Sequence, residues 1–207
     1  MEKKINFFTA KYVAYLGVLT ALVIAFQMLS GFMRIGATSF CLVLVPIVLG
    51  GMLLGVVAGA ILGGIFGLVV IIDGLIGLEP FTLYLLNVQP VFTVALCLLK
   101  GVAAGIIPAL VYKLIAKKNK YVGAFTAALL APVCNTGIFA IGAFLMLDSI
   151  LPALGNPSNS PAYVVFVLLI GVNFFVELAL NLVLAPAIYT VNGVVEKRIS
   201  VRKKQPQ

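Results

Sequence analysis

Apolar and polar residues do not alternate along this chain. They separate into long apolar runs divided by short polar interruptions. Runs of about 18 residues or more with almost no charge read as transmembrane helices. The runs predict a first span over residues 12–29, then a loop holding Ser30, Gly31, Arg34, Gly36 and Thr38. A short second span follows over 40–49, and a third from about 52 to just before Asp73 and Gly74. Residues 73–89 read as a mixed segment, part of it helical and lying on the membrane surface. A fourth span covers 90–115 and a fifth 121–147. The segment 148–161 holds Pro152, Gly155, Asn156, Pro157 and Ser158, which break regular structure. A sixth span covers 162–191, and a basic tail runs over 192–207. The expected fold is all-α: one membrane domain, 1–207, folded as a compact bundle of six transmembrane helices.

Inside the third run, glycines at 51, 55, 59, 63 and 67 recur every fourth residue. They form one helical stripe without side chains, along which a neighbouring helix can approach to backbone contact.

Charge decides how often residues 40–72 cross. Lys3, Lys4 and Lys11 precede the first span. Lys113, Lys117, Lys118 and Lys120 lie between the fourth and fifth, and Lys197, Arg198, Arg202, Lys203 and Lys204 follow the sixth. The remaining loops hold Arg34 and the acids Asp73, Glu79 and Asp148. Basic residues stay on the cytoplasmic side, so both termini are expected there. That requires an even number of spans, hence two crossings within 40–72. The seven tyrosines agree, since each sits near a predicted helix end, where amphipathic rings anchor.

Composition narrows the function. With 63% hydrophobic and 10% charged residues in 207 positions, the chain departs from ordinary soluble domains. At about 20 residues per span, six spans account for nearly all of it. An energy source such as ATP hydrolysis is therefore expected from a partner. The net charge of +8 belongs to the flanks of the spans, which points to membrane orientation and not to nucleic acid. Cys41, Cys97 and Cys134 lie in or beside apolar runs with neither a disulfide nor a metal-ligand spacing. The chain has no histidine, so the usual zinc ligand and general base are missing. No metal, cofactor or catalytic set is expected, and an intramembrane enzyme is disfavoured. The first run is expected to be a retained helix and not a cleaved signal.

Four strongly polar residues fall well inside the predicted spans: Lys100, Asn135, Asn173 and Glu177. The first three lie roughly 15–18 Å below the outer helix ends, and Glu177 is one turn deeper than Asn173 on the same face. Asn181 continues that face. A charge in hydrocarbon costs at least about 2.5–3.5 kcal/mol, so these groups are expected to point into the bundle. Two readings stand. In one, Lys100 and Glu177 neutralise each other and the asparagines join helices. In the other, the four line a polar substrate site open to the outer face, with Arg34, Asn87 and Gln89 at its mouth. Pro132 withholds a backbone donor in mid-helix beside Asn135 and Thr136. In the first span, Gly17, Ala21 and Ala25 form a small-residue stripe. It serves either packing within the bundle or docking of a partner membrane subunit.

Taken together, the chain resembles the substrate-binding S component of energy-coupling factor (ECF) vitamin transporters. Six short helices, the glycine-stepped passage through the second and third spans, and the Gly17, Ala21, Ala25 stripe carry the likeness. That stripe resembles the family's alanine-x-x-x-alanine motif, with glycine replacing one alanine. Pro132-Val-Cys-Asn-Thr-Gly137 and Glu177-Leu-Ala-Leu-Asn-Leu-Val-Leu-Ala-Pro186 resemble segments of other members. The resemblance implies a subunit in a prokaryotic plasma membrane that captures a vitamin or related micronutrient at the outer face under loops. It then docks through its first helix on a transmembrane coupling subunit driven by two cytoplasmic ATPases. Family binding residues vary with ligand. By their chemistry Lys100 and Arg34 suit a carboxylate or phosphate, whereas Glu177 suits a cationic group. The competing expectation is a small stand-alone carrier or channel for a polar solute.

Overall fold

The computed structural model describes residues 9–30, 34–35, 38–39, 42–151 and 172–201. Among them the chain forms α1 (Ala10–Ser30), a two-residue antiparallel pair β1 (Arg34–Ile35) and β2 (Thr38–Ser39), α2 (Leu44–Leu54) and α3 (Val56–Leu75). There follow α4 (Pro80–Val88), α5 (Pro90–Ile115), α6 (Lys120–Leu145), α7 (Leu147–Ile150) and α8 (Val172–Val201). Five of these helices, α1, α3, α5, α6 and α8, are long and apolar enough to cross a membrane. This is the character of a multi-pass membrane protein.

The sixth expected crossing takes another form. Gly55 adopts φ 100° and ψ 177°, a conformation open to glycine and strained for other residues. It ends α2 and starts α3, and there the chain folds back. A Cβ placed on Gly59 would lie 3.4 Å from the Cα of Gly51, a proximity that a continuous helix does not allow across eight residues. The reversal therefore sits five residues beyond the boundary expected from the apolar pattern. Arm α2 has 11 residues, about 16 Å of helix, which is half of a hydrocarbon core. Its Leu44, Ile47 and Val48 are buried, and it packs against α1, α3, α5, α6 and α8. A short apolar helix thus forms the middle of the bundle with long helices around it.

The glycine stripe finds its partner in α5. Gly59 opposes Gly105, Gly63 opposes Gly101, and a Cβ on Gly67 would lie 2.6 Å from the carbonyl oxygen of Cys97. The pairs run in opposite chain directions, so α3 and α5 are antiparallel with backbone on backbone, where glycine Cα–H groups face carbonyls. Residues Cys97, Gly101, Gly105 and Ala109 make a matching four-residue row on α5. The two rows interlock as small surfaces of the same period.

Helix ends follow local chemistry. Pro80 and Pro90 open α4 and α5, where a missing N–H costs nothing. Asn119 caps α6, its Oδ1 accepting from the backbone N–H groups of Tyr121 (2.9 Å) and Val122 (3.1 Å). Prolines 108, 132 and 186 lie inside α5, α6 and α8, which continue through them. Lys113, Lys117, Lys118 and Lys120 mark one end of the bundle, called here the basic end. Helices α4 and α7 cover the other. Cys97 and Cys134 are free thiols, while Cys41 lies outside the described residues.

Candidate functional site

The polar residues of the spans concentrate where α5, α6 and α8 face one another. Two contacts set the pairing of α6 with α8. Thr136 Oγ1 donates to Glu177 Oε2 at 3.2 Å, and the rings of Tyr121 and Tyr189 meet edge-on at 5.4 Å. The first partner advances along α6 as the second retreats along α8, so the helices are antiparallel. Glu177 is therefore level with Thr136, and Asn181 is level with Pro132. Both asparagine and glutamate side chains are enclosed: Asn135 is 5% exposed, Glu177 5% and Asn181 0%.

Lys100 enters from α5. It is half-buried, and its Nζ lies over two rings, 5.7 Å from the centre of Phe66 and 5.2 Å from that of Phe139. Within about 6 Å such rings attract an ammonium through their negative faces. Phe139 is one turn from Asn135 on α6, so Lys100 lies one turn, about 5 Å along the axis, nearer the α4 end than Thr136 and Glu177. Among the described residues no carboxylate pairs with Lys100. The expectation that Lys100 and Glu177 neutralise each other is not met.

Two amide oxygens in this region are enclosed without a partner. Asn181 Nδ2 donates to the Glu177 carbonyl at 2.9 Å. That bond fixes which way the amide points and leaves Oδ1 as the enclosed end without a partner. Asn135 Oδ1 is likewise enclosed and unpartnered. Pro132 brings no N–H to the Ala128 carbonyl. The Thr136 hydroxyl is already engaged by Glu177. Bare acceptors of this kind cost free energy unless something donates to them.

Helix α4 roofs the site. Phe81 meets Phe139 edge-on, with centroids at 6.4 Å and planes at 73°. Tyr84 donates its hydroxyl to the Ser149 carbonyl at 2.9 Å, and Gln89 Nε2 donates to Ser149 Oγ at 2.9 Å. Thr93 Oγ1 binds the carbonyls of Leu85 (3.1 Å) and Gln89 (2.8 Å), tying α4 to α5. Gln89 thus serves as a strut between α4 and α7. Asn87 is exposed at the end of α4 and does not join the polar group. The side chains of Arg34 and Asn173 lie outside the described residues. An apolar groove follows α8 along Phe175, Val176, Ala179, Leu180 and Val183, and no polar group of the site lines it.

The pattern of the sequence missed a second polar contact. Asp73, expected in a loop, is 1% exposed within the last turn of α3 and accepts from Gln27 Nε2 at 3.1 Å. Gln27 is 2% exposed and lies in the last turn of α1. Its signal was a lone amide near the end of an otherwise apolar run. Glu79, also expected in a loop, is buried at the start of α4. Near the basic end, buried Asn192 donates to the Tyr112 hydroxyl at 2.9 Å, which joins α8 to α5.

The stripe on α1 faces away from the bundle. Gly17, Ala21 and Ala25 are exposed, and a Cβ on Gly17 would meet nothing within 4 Å. Among the described residues no helix packs on this stripe. Among the described residues no group of three or more histidine, cysteine or acidic side chains is placed to hold a metal. No protein-family model matches the chain, and neither a curated protein nor a solved structure does.

Proposed function

We propose that this chain is a membrane-embedded capture subunit. In this reading it takes a small polar solute from the outer face and delivers it through an ATP-driven coupling module, as the resemblance to ECF S components implies. The observation that carries the reading is the meeting of Lys100, Asn135, Thr136 and Glu177 from three helices within about one helical turn. Polar groups at this depth are costly, and in this reading a bound solute offsets part of that cost. The α4 roof above them fits a site loaded from its own end of the membrane. The positive-inside rule makes that end the outer one and the lysine end cytoplasmic. The outward stripe of α1 offers a close-packing face for a transmembrane coupling subunit. Two cytoplasmic ATPases complete the assembly.

The test is uptake in two settings. The chain reconstituted alone in vesicles binds its solute without carrying it across. Co-expressed with a coupling module, it supports ATP-dependent uptake. Transport by the chain alone, without ATP, establishes the stand-alone carrier instead. Orientation is read separately, by adding single cysteines to a variant lacking the native three. A cysteine at Leu78 should react with an impermeant reagent added outside the cell, and one at Asn119 should not. The opposite labelling reverses the assignment of the two faces.

A further inference from the structure

The contact between α1 and α3 is short of one positive charge. Gln27, in the last turn of α1, donates from Nε2 to Asp73 Oδ2, in the last turn of α3, at 3.1 Å. Gln27 is 2% exposed and Asp73 1%. An ionised carboxylate only accepts, so the amide turns its nitrogen toward Asp73. That leaves Gln27 Oε1 enclosed and without a donor. Among the described residues Asp73 takes no other side-chain hydrogen bond and no ion pair. The backbone adds to the negative side. Each of these last turns carries the partial negative charge of a helix C-terminus, where a carboxylate is misplaced and a cation is favoured.

The helices packed against α3 do not supply that cation. They are α1, α2, α4 and α5. Helix α2 has no titratable residue, and Lys11, Tyr12 and Tyr15 of α1 lie about 18 Å or more from Gln27 along the helix. Tyr112 and Lys113 of α5 are at the basic end. There remain Glu79 and Tyr84 beside α4, and Cys97 and Lys100 on α5. The pairing of Gly63 with Gly101 sets Lys100 level with Gly64, about 13 Å along α3 from Asp73. Its ammonium lies over Phe66 and Phe139 instead.

We propose that Gln27 and Asp73 form a site for one small monovalent cation from solution, a proton or an alkali-metal ion, held between Gln27 Oε1 and the Asp73 carboxyl group. Either form supplies the missing charge and gives the bare amide oxygen a partner. As a proton it makes Asp73 a neutral acid that donates to Gln27. As a metal ion it takes hard oxygen ligands. Ser30, buried one turn from Gln27, donates its hydroxyl to the Phe26 carbonyl at 2.7 Å and keeps lone pairs to offer. One carboxylate balances one charge. The site joins the ends of α1 and α3, and the Glu79 N–H at the start of α4 donates to the Asp73 carbonyl at 3.1 Å. A bound cation therefore also steadies the start of the α4 roof. The inference does not depend on the capture reading.

The test is thermal melting of the full-length chain in mild detergent and choline chloride. Sodium or potassium chloride replaces choline at fixed pH and ionic strength, and pH is varied separately in choline alone. A metal-ion site gives a saturable rise in melting temperature with the metal, which shrinks at low pH as protons compete. A proton site ignores the metal, and its contribution is present at low pH and lost as pH rises. Asp73→Asn keeps the shape and brings an N–H for Gln27 Oε1. It should abolish either response and melt at or above the parent stripped of its cation. Glu79, Asp148 and Glu177 titrate too, so the pH response that belongs to the site is the part lost in Asp73→Asn. Gln27→Leu keeps the carboxyl group but removes the amide oxygen, and should weaken the response about tenfold. It keeps the test decisive if Asp73→Asn fails to fold. A parent that responds neither to metal nor, through Asp73, to pH overturns the inference, and a buried water then answers the bare oxygen. Lower melting temperatures in both Asp73→Asn and Arg34→Gln, with no cation response in the parent, also overturn it and make arginine the counter-charge.

Discussion

Two antiparallel seams of one bundle are built on opposite terms. Along α3–α5, Gly59, Gly63 and Gly67 lie against Gly105, Gly101 and Cys97 with backbone touching backbone. That seam has no space for a ligand. On α6, in the half nearer the basic end, Ala124, Ala127, Ala128 and Ala131 are fully buried. From the level of Pro132 the α6–α8 seam is polar, with Asn135, Thr136, Glu177 and Asn181 in place of small apolar residues. Lipid chains are as apolar as leucine, so helices in a membrane associate through close fit and through hydrogen bonds. The first seam uses close fit alone. The second keeps polar atoms that its own contacts leave incompletely satisfied. In the capture reading the contrast is one of frame and site, since an unsatisfied oxygen costs free energy that close fit does not.

The comparison breaks most sharply at one pair of adjacent glycines. A Cβ on Gly63 would press on the Gly101 carbonyl, lying 2.7 Å from its carbon, whereas one on Gly64 meets only Val102 Cγ2 at 3.7 Å. Backbone cannot yield as a side-chain tip can. Gly63→Ala should therefore destabilise by about 1–3 kcal/mol, and Gly63→Leu should yield no folded protein. Gly64→Ala should be neutral or stabilising by up to about 1 kcal/mol, from helix propensity. Thermal melts and size-exclusion profiles of the detergent-solubilised variants check this. Equal losses at both positions would mean that α3 and α5 do not meet along this stripe.

Those glycines also show what was legible in the sequence. The four-residue period located the seam, and the row on α5 was readable from the same period. Gly55 belongs to the period too, yet its task is the chain reversal at φ 100°. Spacing alone does not tell a glycine chosen for contact from one chosen for its backbone angles, so the α2–α3 boundary was placed five residues early. The first, third, fourth and fifth spans were placed to within a few residues because bilayer thickness leaves little choice of length. Helix α8 instead runs on to Val201, ten residues into what was expected to be a basic tail. Lys100, Asn135 and Glu177 stood out because polar residues inside apolar runs are rare. Asp73 and Glu79 did not, since acids at the end of a run look like loop residues until the fold encloses them. Their burial depends on Gln27 and on α4, contacts that hydropathy does not encode.

In the polar seam the expected effects are moderate and of opposite kind. Asn181→Leu replaces an enclosed amide with an apolar side chain of similar size and removes a bare oxygen. The melting temperature without ligand should stay level or rise, by about 1 kcal/mol of stability at most. Occupancy by the co-purifying solute should fall. A clear loss of stability would show that the amide is a structural joint, because its bond to the Glu177 carbonyl would then outweigh the bare end. The double variant Lys100→Met with Glu177→Gln sharpens the point. A site loses ligand in it. Full occupancy in the double variant would return both residues to a merely structural role.

The smallest effect on the chain itself is expected on α1. Ala21 is exposed among the described residues, between Gly17 and Ala25. Ala21→Leu should therefore leave the melt and the solute occupancy within a few tenths of a kcal/mol of the parent, as for other surface substitutions. Its consequence should appear only in company. Leucine fills the groove along which a second helix approaches to backbone distance, so co-purification with the coupling subunit and ATP-dependent uptake should both fail. Ala21→Gly keeps the groove open and should retain assembly, which separates loss of fit from loss of a side chain. If Ala21→Leu assembles and transports as the parent does, this face of α1 contacts lipid only, and the partner must meet the bundle elsewhere. Of the three regions, the α3–α5 seam would then hold the frame, the α6–α8 seam the solute, and the outward face of α1 neither.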